Sequence, residues 1–214
     1  MCGRYILAQP ATAEKTFGLA RQHWTFTPSY NVGPTREVPV IRVAQSGERE
    51  GVMMRWGLIP PFLKGESPKY PTHNASLETM EASPAFREAW KRGQRCIVPA
   101  QGYYEWQLLP DAPKQPWCVA LADNEMMPFA GLWERSVKAD RTVVESVAIV
   151  TLPADGKRVP AILRMEDVEL WLTGPPEAAK AALRPLADGT LRRWKVSPRV
   201  NLLKNDDEQL MAAS

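Results

Sequence analysis

The sequence predicts an α+β fold: a single domain over residues 1–214, built on a mostly antiparallel, barrel-like β-sheet flanked by a few helices. Three observations predict it. Short runs rich in β-branched and aromatic residues recur along the chain and outnumber the segments with helical spacing. Proline is abundant, 20 of 214 residues, which breaks helix interiors and suits strands and loops. Hydrophobic residues at 44% and charged residues at 24% supply an ordinary globular core, which excludes disordered and collagen-like chains. At this length a chain buries roughly 70% of the surface its unfolded form exposes, so no disulfide or metal staple is required.

Taken in order, residues 5–8, 38–43, 52–59, 95–99, 103–109, 117–122, 128–133 and 143–152 read as strands. Residues 120–127 read as a hairpin, with Asp123 and Asn124 as its turn between two apolar runs. Helical spacing of apolar residues predicts a helix over 11–22. Ser83 and Pro84 form an N-cap and first-turn pair opening a helix over 85–92. Residues 167–172 and 176–186 also suit helices, the second starting on Pro175-Pro176 and rich in alanine. The stretch 60–72 holds four prolines and Gly65 without periodicity, and a loop that long in a compact domain is more often functional than idle. No internal repeat or low-complexity linker divides the chain.

Charge and cysteine usage narrow the function classes. A formal net charge of +3 neither demands nor excludes an anionic partner. Two stretches are locally basic: Arg192, Arg193, Lys195, Arg199 and Lys204 in 189–204, and Arg87, Lys91, Arg92 and Arg95 against Glu88 in 84–95. Such patches suit phosphate backbones, and equally suit solvated faces of a sheet and a helix. Cys2, Cys96 and Cys118 are odd in number and far apart, and only His23 and His73 offer imidazoles. The expectation is therefore no metal, no cofactor and no disulfide framework. The first ten residues lack the apolar core of a signal peptide, and no run approaches the roughly 18 apolar residues of a membrane span. These features predict a cytoplasmic protein with no membrane partner.

Cys2 stands out by position. Once Met1 is removed, residue 2 presents an α-amine and a thiol on adjacent carbons. The amine, with a pKa of about 7.7–8.0, is partly neutral and nucleophilic near neutrality. Such an aminothiol condenses with an aldehyde to an imine, and the thiol then closes a five-membered thiazolidine, which no internal Cys or Lys can do. Taken alone, Cys2 reads as a small buried residue.

The surrounding motifs change that reading. Met1-Cys-Gly-Arg-Tyr5 is followed by Ser29-Tyr-Asn-Val-Gly-Pro34, Arg55-Trp-Gly-Leu-Ile-Pro60 and His73-Asn-Ala-Ser-Leu-Glu-Thr79. Then come Phe86-Arg-Glu, Arg95-Cys-Ile-Val-Pro-Ala-Gln-Gly-Tyr-Tyr-Glu-Trp106, Val196-Ser-Pro-Arg-Val-Asn201 and Lys204-Asn-Asp-Asp207. In this order and spacing the chain resembles the SRAP family of SOS-response-associated peptidases or abasic-site-processing proteins, from residue 1 to about residue 208.

The resemblance implies single-stranded DNA as partner, in particular strands containing abasic sites. It implies covalent trapping of the ring-opened aldehyde on the N-terminal cysteine as a thiazolidine, with lyase and self-processing peptidase activity as further possibilities. Cys2 would be the nucleophile, Asn74 would orient it and Glu105 would move protons. Burial beside aromatic residues suits a Glu to that work, and Tyr103, Tyr104 and Trp106 supply the setting. Without the motif, Glu105 reads as an outward-facing strand residue and Asn74 as a turn residue. Arg4, Phe62, Arg87 and Arg158 form the expected DNA-binding set, and the protein is expected to act as a monomer. Phe62 in Pro60-Pro-Phe-Leu63 offers a π face for stacking on a base, or else fills the core.

Two positions depart from the family pattern. The usual His-x-Arg-Met-Pro reads Gly156-Lys-Arg-Val-Pro160, so the imidazole is missing, and the usual Asn-Ala-Arg reads Asn74-Ala-Ser76. Two other function classes remain open. An N-terminal-nucleophile hydrolase also begins Met-Cys-Gly, and a non-catalytic single-strand binding module would use the same basic and aromatic surfaces.

Overall fold

The computed structural model describes residues 3–19, 21–110, 112–154 and 156–214, apart from the side chains of Pro10, Arg21, Gln22 and Ala112. Along the first half run β1 (Tyr5–Leu7), α1 (Pro10–Phe17), β2 (Arg21–His23), β3 (Ser29–Val32), β4 (Glu37–Val43), β5 (Arg49–Trp56), β6 (Asn74–Ser76) and α2 (Arg87–Lys91). The second half holds β7 (Arg95–Ala100), β8 (Gly102–Leu109), β9 (Ala112–Leu121), β10 (Met127–Val137), β11 (Val143–Ala154), β12 (Lys157–Pro160), α3 (Val168–Thr173), α4 (Pro176–Ala182) and β13 (Leu191–Lys195). The α+β class with a mostly antiparallel, barrel-like sheet is the observed one. Among the described residues no helix is long and apolar enough to cross a membrane.

Five strands close the barrel. Antiparallel pairing runs β5–β4–β7–β10–β11, and β11 returns to β5 by a parallel pair, Ser146 opposite Arg55 and Val147 opposite Trp56. β11 is long enough to serve several partners in turn: it pairs with β10 at its start, then in parallel with β6, and finally with β12. Closure removes the exposed edges that an open sheet would present.

A second sheet, ordered β13–β9–β8–β1–β3, lies beside the barrel. Because side chains alternate along a strand, its two faces enter different cores. Tyr5, Leu7, Tyr103 and Val119 join the barrel core, whereas Ile6, Tyr104 and Cys118 face the other way. There they meet Val196, Val200 and Leu210 of the C-terminal segment. In the barrel core, Tyr5 meets Trp56 edge-on at 5.3 Å between ring centres and Phe129 at 6.2 Å, and Tyr103 meets Phe129 at 6.1 Å. Edge-to-face pairs of this kind contribute about 0.5–1.5 kcal/mol each beyond their burial. The tryptophan-rich composition is explained by satisfied indoles: Trp56 donates to the His73 carbonyl at 2.8 Å, Trp171 to Cys96 at 2.9 Å and Trp194 to Met211 at 2.7 Å.

Several elements differ from expectation for local reasons. The helix expected over 11–22 stops at Phe17, because Gly18 takes the left-handed conformation at φ 58° and caps it. The chain beyond then adds β2 in parallel to β5. Ser83 does not cap α2 with its side chain; its carbonyl accepts from the Phe86 and Arg87 amides in a preceding turn. The last helix ends at Ala182, short of 186, since Arg184 precedes a proline. At 120–127 the turn forms, with Asn124 at φ 63° and the Asp123 carboxylate accepting from the Glu125 amide. It does not make a hairpin, however: β9 belongs to the second sheet and β10 to the barrel.

Candidate active site

β1 sets the course of Gly3 and Arg4, the described residues ahead of it. Tyr5 lies opposite Tyr103 and Ile6 opposite Gly102, and the Tyr104 amide donates to the Arg4 carbonyl at 3.0 Å. This antiparallel register runs Arg4 and Gly3 along β8 in the direction of Glu105. Cys2, the expected nucleophile, lies outside the described residues. Arg4 is half-buried, donates to the Gly3 carbonyl at 3.0 Å and forms no ion pair with a carboxylate among the described residues. Burial lowers its guanidinium from the ordinary arginine value.

Glu105 sits on β8 where the inward face of the second sheet emerges from the core. Its side chain is 13% exposed, and each oxygen is held by a cation. Lys157 Nζ lies 2.7 Å from Oε2, and Arg193 Nε lies 2.8 Å from Oε1. Arg193 is itself stacked over Trp117, 4.0 Å from the ring centre, and Trp117 is the residue opposite Glu105 on β9. A strand-register argument explains the assembly: Glu105, Trp117 and Lys195 share one cross-strand row, and Arg193 occupies the next position on the same face.

Two cavities meet at this carboxylate. One, of about 550 Å³, is lined by Tyr103, Tyr104, Glu105, Trp106, Lys157 and Arg158 among others. The other, of about 400 Å³, shares Tyr103, Glu105 and Lys157 and adds Arg184, Leu186 and Arg193. Burial raises the Tyr104 phenol, whose hydroxyl donates to the Tyr30 carbonyl at 2.9 Å, so it stays neutral at the cavity wall.

Asn74 opens β6, opposite Ile149 of β11. The preceding His73 carbonyl accepts from Trp56 Nε1 at 2.8 Å and from the Ile149 amide at 3.0 Å. Its ring meets Trp56 edge-on at 5.9 Å, and Trp56 in turn packs on Tyr5. A contiguous aromatic chain thus ties Asn74 to the strand that carries the N-terminus. Burial lowers the His73 imidazole from its ordinary value, which favours its neutral form.

Arg158 lines the larger cavity but is committed internally. It forms a two-point pair with Glu78 at 3.0 and 2.7 Å, and donates to Thr151 Oγ1 at 3.0 Å and the Thr151 carbonyl at 2.6 Å. The pair, with a further hydrogen bond from Ser76, holds the Glu78 carboxyl at about 2. Phe62 lies on a 3-10 turn, Pro61–Leu63, packed against β10; it is 57% exposed rather than core-filling and lines neither cavity. Arg87 begins α2, half exposed beside Glu88 at 3.4 Å, and also lines neither cavity. Gly156 turns at φ 72° with nothing within 4 Å of where a Cβ would stand.

Sequence reasoning named Arg4, Asn74, Glu105 and Arg158 but overlooked Lys157 and Arg193 as partners of Glu105. Lys157 stands between Gly156 and Arg158 inside a motif already singled out, and Arg193 lies in a stretch already noted as basic. Only the tertiary fold, which brings β12 of the barrel sheet and β13, the neighbour of β9, within reach of Glu105 on β8, reveals what they face.

Known proteins resemble this chain over most of its length. The abasic site processing protein YoqW of Bacillus subtilis is 31% identical over 223 residues, spanning 99% of both chains. The abasic site processing protein HMCES of Gallus gallus is 28% identical, over 87% of this chain and 66% of its own. A crystal structure of a Bordetella bronchiseptica protein superposes with a TM-score of 0.80 at 29% identity, over 92% of this chain and all of the other. A Bacteroides thetaiotaomicron protein shares the fold over the full length of both chains, TM-score 0.87 at 22% identity. The family described as SOS response associated peptidase (SRAP) matches residues 1–203, and this chain belongs to it.

Proposed function

We propose that this protein processes abasic sites in DNA by capturing them covalently. The ring-opened aldehyde of an abasic site in single-stranded DNA condenses with the α-amine of Cys2, exposed by loss of Met1. Water leaves, and the thiol adds to the imine carbon to close a thiazolidine. One aldehyde and one aminothiol give one ring and one water, and the lesion is shielded while the ring persists. The observation that carries this reading is Glu105, a carboxylate held between two cations at the junction of two cavities, with the first strand directed toward it.

Each residue has a physical task in this scheme. Glu105 accepts and returns protons as the sugar opens and the carbinolamine loses water. Asn74, linked through His73 and Trp56 to β1, orients the N-terminus. Arg4, a cation with no carboxylate partner among the described residues, meets a phosphate of the strand. The cavity lined by Tyr103, Tyr104 and Trp106 accepts an unstacked nucleotide, because stacking asks only for a π face.

The test is direct. Protein lacking Met1, mixed with a single-stranded oligonucleotide bearing one abasic site, is expected to give a denaturation-resistant adduct of one protein per strand. Cys2→Ala is expected to yield no such adduct unless borohydride traps an amine-only imine. Glu105→Gln is expected to slow formation by about 10²–10⁴-fold. A stable adduct from Cys2→Ala without reductant would overturn the assignment.

A further inference from the structure

The two cations on Glu105 are not equivalent. Arg193 keeps its guanidinium stacked on Trp117 while its Nε holds Oε1, and a guanidinium does not release a proton near neutrality. Lys157 holds Oε2 through an ammonium, which carries three donors and does exchange protons. Lys157 also lines both cavities, as Glu105 does, so the ammonium and the carboxylate address the same space. It leaves a glycine turn on the short strand β12, opposite Ala154, and reaches across to β8 for its only ion pair among the described residues. A positive side chain spanning two sheets to sit at the one carboxylate shared by two cavities is an acid placed beside a base.

We infer that Lys157 is the proton donor that opens the closed sugar of the abasic site, with Glu105 as the accepting base; the inference rests on the capture reading above. The closed form is a hemiacetal with a hydroxyl on C1′ and a ring oxygen, O4′. Glu105 takes the hydroxyl proton, and the electrons of that O–H bond become the second bond of the C1′ carbonyl. The C1′–O4′ bond breaks with its pair passing to O4′, and Lys157 delivers a proton there. Glu105 is then protonated and Lys157 neutral, and one transfer along their 2.7 Å contact restores both. No proton, electron or co-reactant is gained or lost. Arg193 anchors the other carboxylate oxygen, so the base keeps its place while Oε2 trades protons.

The experiment compares two single-stranded probes: one with an abasic site, which must open, and one with an acyclic aldehyde linker at the same position, which has no ring. The reading is the ratio of adduct formation rates, abasic over acyclic. Lys157→Met is expected to lower this ratio by about 10²-fold. Lys157→Arg keeps the positive charge and a partner for Glu105 but supplies no transferable proton, and it is expected to lower the ratio similarly. An unchanged ratio in Lys157→Met, or its recovery in Lys157→Arg, overturns the proton-donor role while leaving capture intact. Wild-type protein that forms no adduct with either probe overturns the capture reading itself, and this inference with it.

Discussion

At the residue scale, the second core depends on Asn31. Its buried amide donates to the carbonyls of Val200 at 3.2 Å, Leu202 at 3.2 Å and Asn205 at 2.9 Å, which fastens the C-terminal segment to β3. Asp206 adds to this seam by accepting from Ser29 Oγ at 2.8 Å and the Tyr30 amide at 2.5 Å. Removing the Asn31 amide leaves the Val200 and Asn205 carbonyls without it, while Leu202 keeps the Asn205 amide at 3.0 Å, and a buried group left unpaired costs more than the bond itself contributed. Asn31→Ala is therefore expected to lower unfolding free energy by about 2–4 kcal/mol, read from the shift of a urea midpoint. A shift below about 0.5 kcal/mol would show that the segment is held by its apolar contacts instead. The same scale separates the candidate site residues: Glu105 has its charge matched twice over, whereas Arg4 has none matched by a carboxylate among the described residues.

At the element scale, the barrel requires close approach between neighbouring strands. Gly131 lies mid-β10 between β7 and β11, and a Cβ there would stand 2.8 Å from Cys96 Sγ and 3.3 Å from the Ala148 carbonyl. Gly131→Ala is expected to cost about 1–3 kcal/mol through overpacking. Cys96→Ala in the same chain removes the obstructing sulfur and is expected to return part of that loss, which a double-mutant cycle measures as a coupling energy. Additive effects of the two substitutions would contradict the contact.

Elements also show how far the sequence was legible. Runs such as 38–43, 103–109 and 143–152 carry enough β-branched and aromatic residues to declare themselves, and they form β4, β8 and β11 with shifts of a few residues at most. The short strands β2, β3, β6, β12 and β13 were not foreseen. Arg21–His23 and Leu191–Lys195 are largely polar, and both lie at the end of a sheet, where tertiary pairing rather than intrinsic preference makes a strand. Glu105 was legible because its motif surrounds it. Its partners were not, since Lys157 and Arg193 are 52 and 88 residues further along the chain and meet it only in three dimensions.

At the scale of the whole molecule, much of the basic charge is spent internally. Arg92 pairs with the buried Glu134, Arg199 with Asp207 at 2.6 Å, and Arg193 with Glu105, so neither basic stretch of the sequence forms a free cationic stripe. Arg95 is buried, its guanidinium lying over Trp90 and Trp171, 5.7 and 5.9 Å from the ring centres. With a net charge of only +3, the attraction to a nucleic acid strand that the proposed function requires would come from where cations are concentrated rather than from the molecule at large. Lys114, Lys157 and Arg158 border one cavity, and Arg184 and Arg193 the other. Both cavities meet at Glu105, where Lys157 and Arg193 are paired with its carboxylate, Arg158 with Glu78 and Arg184 with Asp167, while Lys114 forms no ion pair among the described residues; under the proposed capture, binding and chemistry would converge on this end of the second sheet.

That convergence is worth most if the captured atom is attached to Cys2. The measurement that tests this most directly is mass spectrometry of the adduct formed with an abasic single strand, intact and after digestion with trypsin and nuclease. The account predicts an intact mass equal to the chain without Met1 plus the oligonucleotide less one water, with the sugar remnant on the peptide Cys2-Gly3-Arg4. A remnant on Lys157 or any other internal residue, or an adduct that retains Met1, would contradict it.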